Sequence, residues 1–286
     1  MMDLFNFIAE KNNFKINHSQ SLSGGDISDV YLLNTSHGDY VIKINDSDKI
    51  NIFLSEQTGL LALKNSNTLR IPEVYNVGQF TSYSYIIMEY IPSGDPKNDT
   101  FKNFGEKLAK LHMHTSDAFG FKSNNLIGTL PQLNNEHATW SEFYWEERIK
   151  PQFQLAVQKG LMSLENIPSK EKFKQAIDQE FCDAKPSLIH GDLWNGNYLV
   201  DDKGDVALID PAVYYGHPMM DIGMSQLFGG FPNAFLEAYK DSSNCAKSWQ
   251  SQIELAQLYY LLVHLNLFGT SYLSPVLRIK EKFLDA

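Results

Sequence analysis

The chain has 286 residues, of which 43% are hydrophobic and 13% aromatic, and its formal net charge at pH 7 is −10. This composition excludes a disordered chain and allows either one large domain or two modest lobes. An acidic chain without a dense run of Lys and Arg is poorly suited to nucleic acid, so we expect no nucleic-acid partner.

The N-terminal part of the chain has the pattern of a mostly β lobe. It begins with an amphipathic helix that contains acidic residues, which is not the pattern of a signal peptide. A strand, a Gly turn, a strand, a polar turn and a further strand follow up to residue 44. A periodic segment over 52–64 predicts a helix, and two more strands are predicted over 70–78 and 83–91.

The C-terminal part has the pattern of a mainly helical lobe. Pro92 begins a Pro-Ser-Gly-Asp-Pro segment that is the strongest break in the chain. Beyond it we predict one β-hairpin, over 198–210 with Gly204 in its turn, and helices over 101–114, 140–160, 170–183, 231–240 and 249–268. The fold class is therefore predicted as α+β and bilobal, with a small, mostly β lobe over 1–91 and a larger, mainly α lobe over 92–286.

The cysteines, two histidines and the most apolar late segment of the chain favour neither a metal site nor a membrane span. Cys182 and Cys245 lack the spacing of a metal or disulfide framework, so we expect reduced thiols and a cytoplasmic protein, with a single bridge between the two as the alternative. His112 and His114 at the end of a predicted helix are expected to cap it or to face solvent, with metal binding as the alternative. The apolar stretch over 256–268 is too short and too polar to cross a bilayer, so we expect no membrane partner.

Three side chains of the C-terminal part have the spacing of a phosphoryl-transfer site. Asp192 and Asn197 lie in a His-Gly-Asp-Leu-Trp-Asn-Gly-Asn run, and the predicted hairpin then leads to Asp210. Protein-kinase catalytic loops have an Asp, four residues and an Asn, followed by a metal-binding Asp. We therefore predict that Asp192 is the catalytic base and that Asn197 and Asp210 hold Mg²⁺ against the phosphates of ATP. The alternative is an ordinary polar loop followed by a hairpin, and the preceding His-Gly pair favours the catalytic interpretation.

The N-terminal part contains residues that match this site. Gly24 and Gly25 lie between two predicted strands, where backbone amides can cover phosphate oxygens. Lys43, in a Tyr-Val-Ile-Lys strand, is predicted to bind phosphate, and Glu56 on the next helix is predicted to form an ion pair with it. The end of the last strand is predicted to offer backbone groups to the adenine of ATP through Met88, Glu89, Tyr90 and Ile91.

Taken together, these motifs resemble the fructosamine kinase, or ketosamine-3-kinase, family of protein-kinase-like enzymes. The narrowest matches are the Leu-Trp-Asn-Gly-Asn run, an Asp-Pro-Ala-Val-Tyr-Tyr-Gly run and a His-Leu-Asn-Leu-Phe-Gly run. The resemblance implies a kinase that transfers phosphate from ATP to the 3-hydroxyl of a ketosamine, which reverses glycation. We expect a monomer, although the sequence does not itself specify the oligomeric state. It implies that Trp194 and Tyr215 line the substrate pocket, although Trp194 also suits a core position, and that Asp221 hydrogen-bonds the catalytic-loop backbone.

Departures from the family pattern leave part of the function open. Residues 217–220 (His-Pro-Met-Met) stand where many members have a charged pair, and Asp26 stands where some relatives have a redox-active Cys. The alternatives are a kinase of another small alcohol (an aminoglycoside, choline or a sugar) and a nucleotide-binding pseudokinase. No expected catalytic residue is missing, which favours an enzyme. A protein kinase is disfavoured because Pro-Ala, not Phe-Gly, follows Asp210.

Overall fold

A five-stranded antiparallel sheet forms most of the smaller lobe in the computed structural model, which describes residues 1–22, 28–182, 184–243 and 248–285. The strand order is β1-β2-β3-β5-β4, and every neighbouring pair is antiparallel. The elements of this lobe are α1 (Met2–Lys11), β1 (Ile16–Leu22), β2 (Asp29–Thr35), β3 (Gly38–Asp46), α2 (Ile50–Asn65), β4 (Val74–Phe80) and β5 (Tyr83–Glu89).

The two faces of this sheet serve two different cores. Successive side chains of a strand point to opposite faces. In β3, Ile42 and Ile44 are buried against α1 in a separate small core, whereas Val41 packs against the main core of the protein. Because Lys43 has the same parity as Val41, its side chain lies on the face that is turned toward the larger lobe.

Helices make up most of the larger lobe. The longest of them, α9, is apolar on nearly all sides and has most of its residues buried, as expected of a helix inside a core. The elements are α3 (Thr100–Leu111), β6 (Asn125–Ile127), β7 (Leu130–Gln132), α4 (Trp140–Phe143), a π-helical segment (Tyr144–Ile149), α5 (Lys150–Gln158), α6 (Lys170–Glu180), β8 (Ser187–Ile189), β9 (Tyr198–Val200), β10 (Val206–Leu208), β11 (Tyr214–Gly216), α7 (Met219–Ser225), α8 (Asn233–Ser242), α9 (Trp249–Phe268) and α10 (Leu273–Leu284). Within the described ranges, no helix has the length and hydropathy to cross a membrane.

A pair of short strands closes the segment that contains the predicted catalytic residues. β8 enters this segment and β11 leaves it, and the two pair with Ile189 opposite Tyr214. Between them, β9 and β10 form the predicted hairpin, with Gly204 in the turn at a φ of 81°. The ends of residues 190–213 are therefore held together, and this brings positions far apart in sequence into one site.

The structure confirms the α+β class and corrects several elements. The sequence predicted one β-hairpin in the larger lobe, and this number was too low. Besides that hairpin, β6 pairs with β7 and β8 pairs with β11. Strands of three residues are too short to show a period of two in the sequence. The predicted helix over 140–160 is divided by a π-helical segment, and α7 and α10 were missed. Met219 and Met220 of the unusual 217–220 run are buried.

His217 is expected to make the fold sensitive to acid. Its ring lies 4.7 Å from the ring of Phe181, and its Nδ1 accepts a hydrogen bond of 3.2 Å from the amide of Met219. Burial, with a smaller contribution from nearby His112, lowers the pKa of His217 to about 3. The folded protein resists protonation of His217, whose pKa in the unfolded chain is about 6.5. The contribution of neutral His217 to the free energy of unfolding is therefore complete above that pH and is lost as the pH falls toward 3.

Urea denaturation at pH 7.5 and pH 5.0 measures this effect. When the pH is lowered from 7.5 to 5.0, the free energy of unfolding of the native protein should fall by about 2 kcal/mol because of His217. His217→Asn keeps an acceptor for the amide of Met219 but does not titrate, so its loss should be smaller by that amount. His18→Asn, at an exposed position of β1, is the control and should behave as the native protein. An unchanged pH dependence in His217→Asn would contradict the assignment.

Candidate active site

Lys43 joins the two lobes at the cleft between them. Its Nζ lies 2.7 Å from Oε1 of Glu56 on α2, so the predicted ion pair is confirmed. It also forms an ion pair with Oδ1 of Asp210 from the larger lobe. The side chains of Lys43 and Glu56 are only 13% and 10% exposed, whereas that of Asp210 is 40% exposed. Asp210 is therefore the most accessible of the three to a ligand.

The electrostatics of these three residues follow from one ammonium group between two carboxylates. Burial opposes the charged form of Lys43, but Asp210 and Glu56 outweigh it and raise the pKa of Lys43. Burial raises the pKa of Glu56 above its usual range, since Lys43 lowers it by less and Asp210 adds to the increase. Burial also opposes ionisation of Asp210, yet Lys43 holds the pKa of Asp210 below its ordinary value. Asp210 is thus the carboxylate that stays ionised.

Asp192 and Asn197 lie together at the end of β8. The Nδ2 group of Asn197 donates to the backbone oxygen of Asp192 at 2.8 Å and to its Oδ2 at 3.0 Å. Both amide protons of Asn197 are therefore directed to Asp192, and its Oδ1 is the atom left for another partner. The amide of Ile209 donates to the carbonyl of Asn197 at 3.1 Å, which places Asp210 beside the loop.

The environment of Asp192 favours a group that can accept a proton near neutral pH. Burial raises the pKa of Asp192 to about 7; the hydrogen bond from Asn197 lowers it, and the charges of Asp210 and Asp221 add to the increase. A carboxyl group with a pKa near the working pH is suited to general base catalysis.

Asp221 on α7 holds the backbone of the catalytic loop, which we define as residues 190–197. Its Oδ2 accepts from the amide of His190 at 2.7 Å and its Oδ1 accepts from the amide of Gly191 at 2.8 Å, as predicted. His112 was predicted to cap its helix or to face solvent, and this was wrong. Its ring is buried, with Nε2 3.2 Å from Asp221 and Nδ1 2.8 Å from the hydroxyl of Tyr239.

Two backbone conformations in the site are unusual. Asp210 has a φ of 53°, in the left-handed region that is rare for residues other than Gly. Gly191 has a φ of 85°, and a Cβ there would lie 2.1 Å from the carbonyl oxygen of Ala212. The loop before Asp192 therefore requires Gly for two reasons. Strained residues of this kind cluster at functional sites.

The predicted hinge is only partly available to a ligand. Met88 and Glu89 lie inside β5, and the amide of Glu89 donates to the carbonyl of Glu73 at 2.8 Å. Tyr90 and Ile91 follow the strand. The carboxylate of Glu89 is bound by Arg70 at 2.9 Å, and Arg70 also forms an ion pair with Asp201 of the larger lobe.

This Arg70 ion-pair network was missed from the sequence, because it joins positions that no local pattern connects. The amide of Leu208 also donates to the carbonyl of Arg70 at 3.0 Å. This side of the cleft is therefore held by ion pairs and by a backbone hydrogen bond.

The remaining predicted residues lie near the site or outside the described ranges. Trp194 is half-buried and packs on the main core, and its ring lies where a Cβ at position 196 would fall. Tyr215 on β11 is half-buried, with its ring 6.3 Å from that of Phe121. Gly24 and Gly25, and the departure at Asp26, lie outside the residues that the structure describes.

The oxygen atoms of the site suit a hard divalent cation. Asp210 supplies an ionised carboxylate and Asn197 a neutral amide oxygen, which are ligand types that Mg²⁺ accepts. Over the described ranges, no group of three or more His, Cys, Asp or Glu side chains is arranged to hold a metal ion. A cation here would therefore need phosphate oxygens and water to complete its shell, as Mg²⁺ in nucleotide sites does.

Comparison with known proteins gives consistent results over nearly the whole chain. The family model described as fructosamine kinase matches residues 5–286. A probable ketoamine kinase of Enterococcus faecium is 38% identical over 262 residues, which cover 91% of this chain and 93% of the relative. The chloroplastic protein-ribulosamine 3-kinase of Arabidopsis thaliana is 35% identical, and the match covers 92% of this chain and 82% of the relative.

A solved structure gives the same result in three dimensions. The crystal structure of a putative fructosamine-3-kinase from Thermobifida fusca superposes with a TM-score of 0.87 at 29% identity. The superposition covers 100% of both chains. The two-lobed arrangement is therefore shared in full.

Proposed function

Because the chain belongs to the fructosamine kinase family, we propose that it is an ATP- and Mg²⁺-dependent kinase of the 3-hydroxyl group of ketosamines. The family match, the ketoamine and ribulosamine kinase names of the relatives and the two-lobed, protein-kinase-like fold support this proposal. The single observation that carries it is the meeting of Lys43 and Asp210 from opposite lobes beside Asp192 and Asn197. Phosphorylation at this position makes the sugar prone to eliminate, which frees the amine.

The chain's own residues divide the work of phosphoryl transfer. Asp192 accepts the proton of the attacking hydroxyl and orients its oxygen. Lys43 donates to phosphate oxygens and is kept in place by Glu56. Trp194 and Tyr215 contact the sugar in this proposal, and the backbone of residues 88–91, together with the loop containing Gly24 and Gly25, binds the nucleotide.

Mg²⁺ would be held by Asn197 and Asp210. When bound, it neutralises phosphate charge and aligns the transferred group. To hold the ion, Asp210 would give up its contact with Lys43, and its 40% exposed side chain allows this. Lys43 then has a free face for phosphate.

The finer assignments follow the same reasoning. We assign residues 1–91 to the smaller lobe and 92–286 to the larger one, with the nucleotide between them. The protein acts as a cytoplasmic monomer on a free or protein-bound ketosamine, and its net charge of −10 disfavours nucleic acid as a partner.

Incubation of the protein with ATP, Mg²⁺ and ribulose- or fructose-modified lysine tests the activity. ADP should form at least about tenfold faster than without acceptor, and ³¹P NMR should show a sugar phosphate before the amine is released. The Asp192→Asn protein is the matched control for a contaminating kinase. Turnover of an aminoglycoside, choline or a free sugar, with none on either ketosamine, would reject the substrate assignment. Nucleotide binding without turnover of any acceptor would indicate a pseudokinase.

A further inference from the structure

A cluster of buried amide side chains fastens the β6–β7 hairpin to the chain that follows Asp210. The amide cluster consists of Asn125, Gln132 and Asn134. Gln132 and Asn134 are each 1% exposed, and Asn125 is half-buried. Buried amides persist where their polar atoms are hydrogen-bonded, so the partners of these side chains show what the cluster holds.

The partners of Gln132 and Asn125 lie two and three residues after Asp210. Gln132 Nε2 donates to the carbonyl of Ala212 at 3.1 Å and to Oδ1 of Asn125 at 2.8 Å. Asn125 Nδ2 donates to the carbonyl of Val213 at 2.8 Å. Two consecutive carbonyl groups are thus held by side chains from one hairpin.

The other side of the amide cluster is anchored in the core. The hydroxyl of Tyr259 on α9 donates to Oε1 of Gln132 at 2.7 Å. Asn134 donates to Oδ1 of Asn125 at 3.1 Å and accepts from Nη2 of Arg148 at 2.6 Å. Arg148 is fully buried in the π-helical segment. The amide cluster is therefore a fixed support, because its own atoms are held by rigid elements.

Asp210 needs such a support because its backbone is in the left-handed region, with a φ of 53°. A conformation of this kind persists only when the surroundings determine it fully. Ala212 is held at both ends: its amide donates to the carbonyl of His190 at 2.9 Å, and its carbonyl accepts from Gln132. The segment after Asp210 is thus fixed between the catalytic loop and the hairpin.

We propose that Gln132 and Asn125 are positioning residues that hold residues 211–213, and through them Asp210, in the conformation that binds the metal–nucleotide complex. This inference rests on the metal role proposed for Asp210. The backbone of Asp210 is then already in place in the free protein, and no phosphorylation or ordering of the following segment is needed for activity.

Gln132→Met tests the inference, because Met has a similar length and no amide. In the protein without nucleotide or metal, hydrogen exchange in peptides covering 210–214 should become at least about tenfold faster. The dissociation constant of the Mg²⁺ complex of AMP-PNP, measured by calorimetry, should rise about tenfold, since the hydrogen bond to Ala212 is lost together with the one that orients Asn125 toward Val213. The affinity for AMP-PNP without Mg²⁺ should change less than about twofold.

Gln252→Met is the matched control. Gln252 is also buried, at 4% exposure, and its Nε2 donates to the carbonyl of Glu180 at 2.7 Å. This contact lies in a different part of the lobe. This variant should lose a similar amount of thermal stability but keep the native exchange at 210–214 and the native affinity. If Gln132→Met and Gln252→Met behave alike in both measurements, the inference is overturned.

Asn125→Ala provides a second variant if Gln132→Met does not fold. Its side chain is only half-buried, and it loses the hydrogen bond to Val213, so exchange at 210–214 and the dissociation constant should each rise about threefold. Neither measurement uses a ketosamine. A native protein that does not bind the Mg²⁺–AMP-PNP complex would refute the proposed function, whereas the exchange result decides the positioning role by itself.

Discussion

Asp192→Asn is expected to lower kcat by about 10²- to 10⁴-fold while the affinity for the Mg²⁺–nucleotide complex changes by less than about threefold. In the native protein, Nδ2 of Asn197 donates to Oδ2 of Asp192 at 3.0 Å. The amide oxygen of the new Asn side chain can still accept this hydrogen bond, so the loop should stay in place. What is lost is the ability to accept a proton. Steady-state kinetics on a ketosamine and calorimetry with AMP-PNP measure the two quantities separately.

Asp202→Asn is the control for this variant. Asp202 is an exposed carboxylate in the turn of the same β9–β10 hairpin, so its loss changes the net charge equally without touching the site. Its kcat should stay within about twofold of the native value. If Asp192→Asn kept a kcat within tenfold of native, Asp192 would not be the base, and a role in orientation alone would replace it.

Asp210→Asn is expected to affect nucleotide binding as well as turnover. Turnover should fall by at least about 10³-fold, and Mg²⁺ should no longer strengthen AMP-PNP binding, because a neutral amide replaces the ionised carboxylate. Asn tolerates the left-handed backbone that Asp210 adopts, so the substitution removes charge without adding strain. Titration of AMP-PNP with and without Mg²⁺ measures the coupling directly.

Asp205→Asn is a suitable comparison. Asp205 forms an ion pair of 2.8 Å with Lys107 on the same lobe, so this variant also leaves a Lys without its carboxylate partner. It should keep the native Mg²⁺ effect on nucleotide affinity. A native Mg²⁺ effect in Asp210→Asn would show that the cation is bound elsewhere. Together, the two substitutions separate proton transfer at Asp192 from metal binding at Asp210.

Short-range spacing explains why part of the site was predictable. Asp192 and Asn197 belong to one loop, and the hairpin that leads to Asp210 has a clear turn at Gly204, so one run of sequence encodes all three. The Lys43–Glu56 ion pair was predicted from a strand followed by a helix, which is also a local arrangement. In contrast, Arg70 meets Asp201 only because the two lobes come together, and it meets Glu89 only through the folding of the smaller lobe.

Two other features escaped the sequence for related reasons. His112 had the pattern of an exposed helix end, yet Asp221 and Tyr239, more than a hundred residues away, bury it. In the amide cluster, Asn125 and Gln132 come from strands of three residues, which are too short to show a period of two in the sequence.

The sequence by itself determined the two-lobed α+β class, the family and the identity of the candidate catalytic residues, because hydrophobic period and motif spacing are properties of neighbouring residues. Only the tertiary structure decided which of these residues meet and what supports them. The left-handed backbone of Asp210, the raised pKa of Asp192 and the contacts of Gln132 depend on burial and on partners from distant parts of the chain. Such partners are set by packing of the whole molecule, and no local stretch of sequence specifies them.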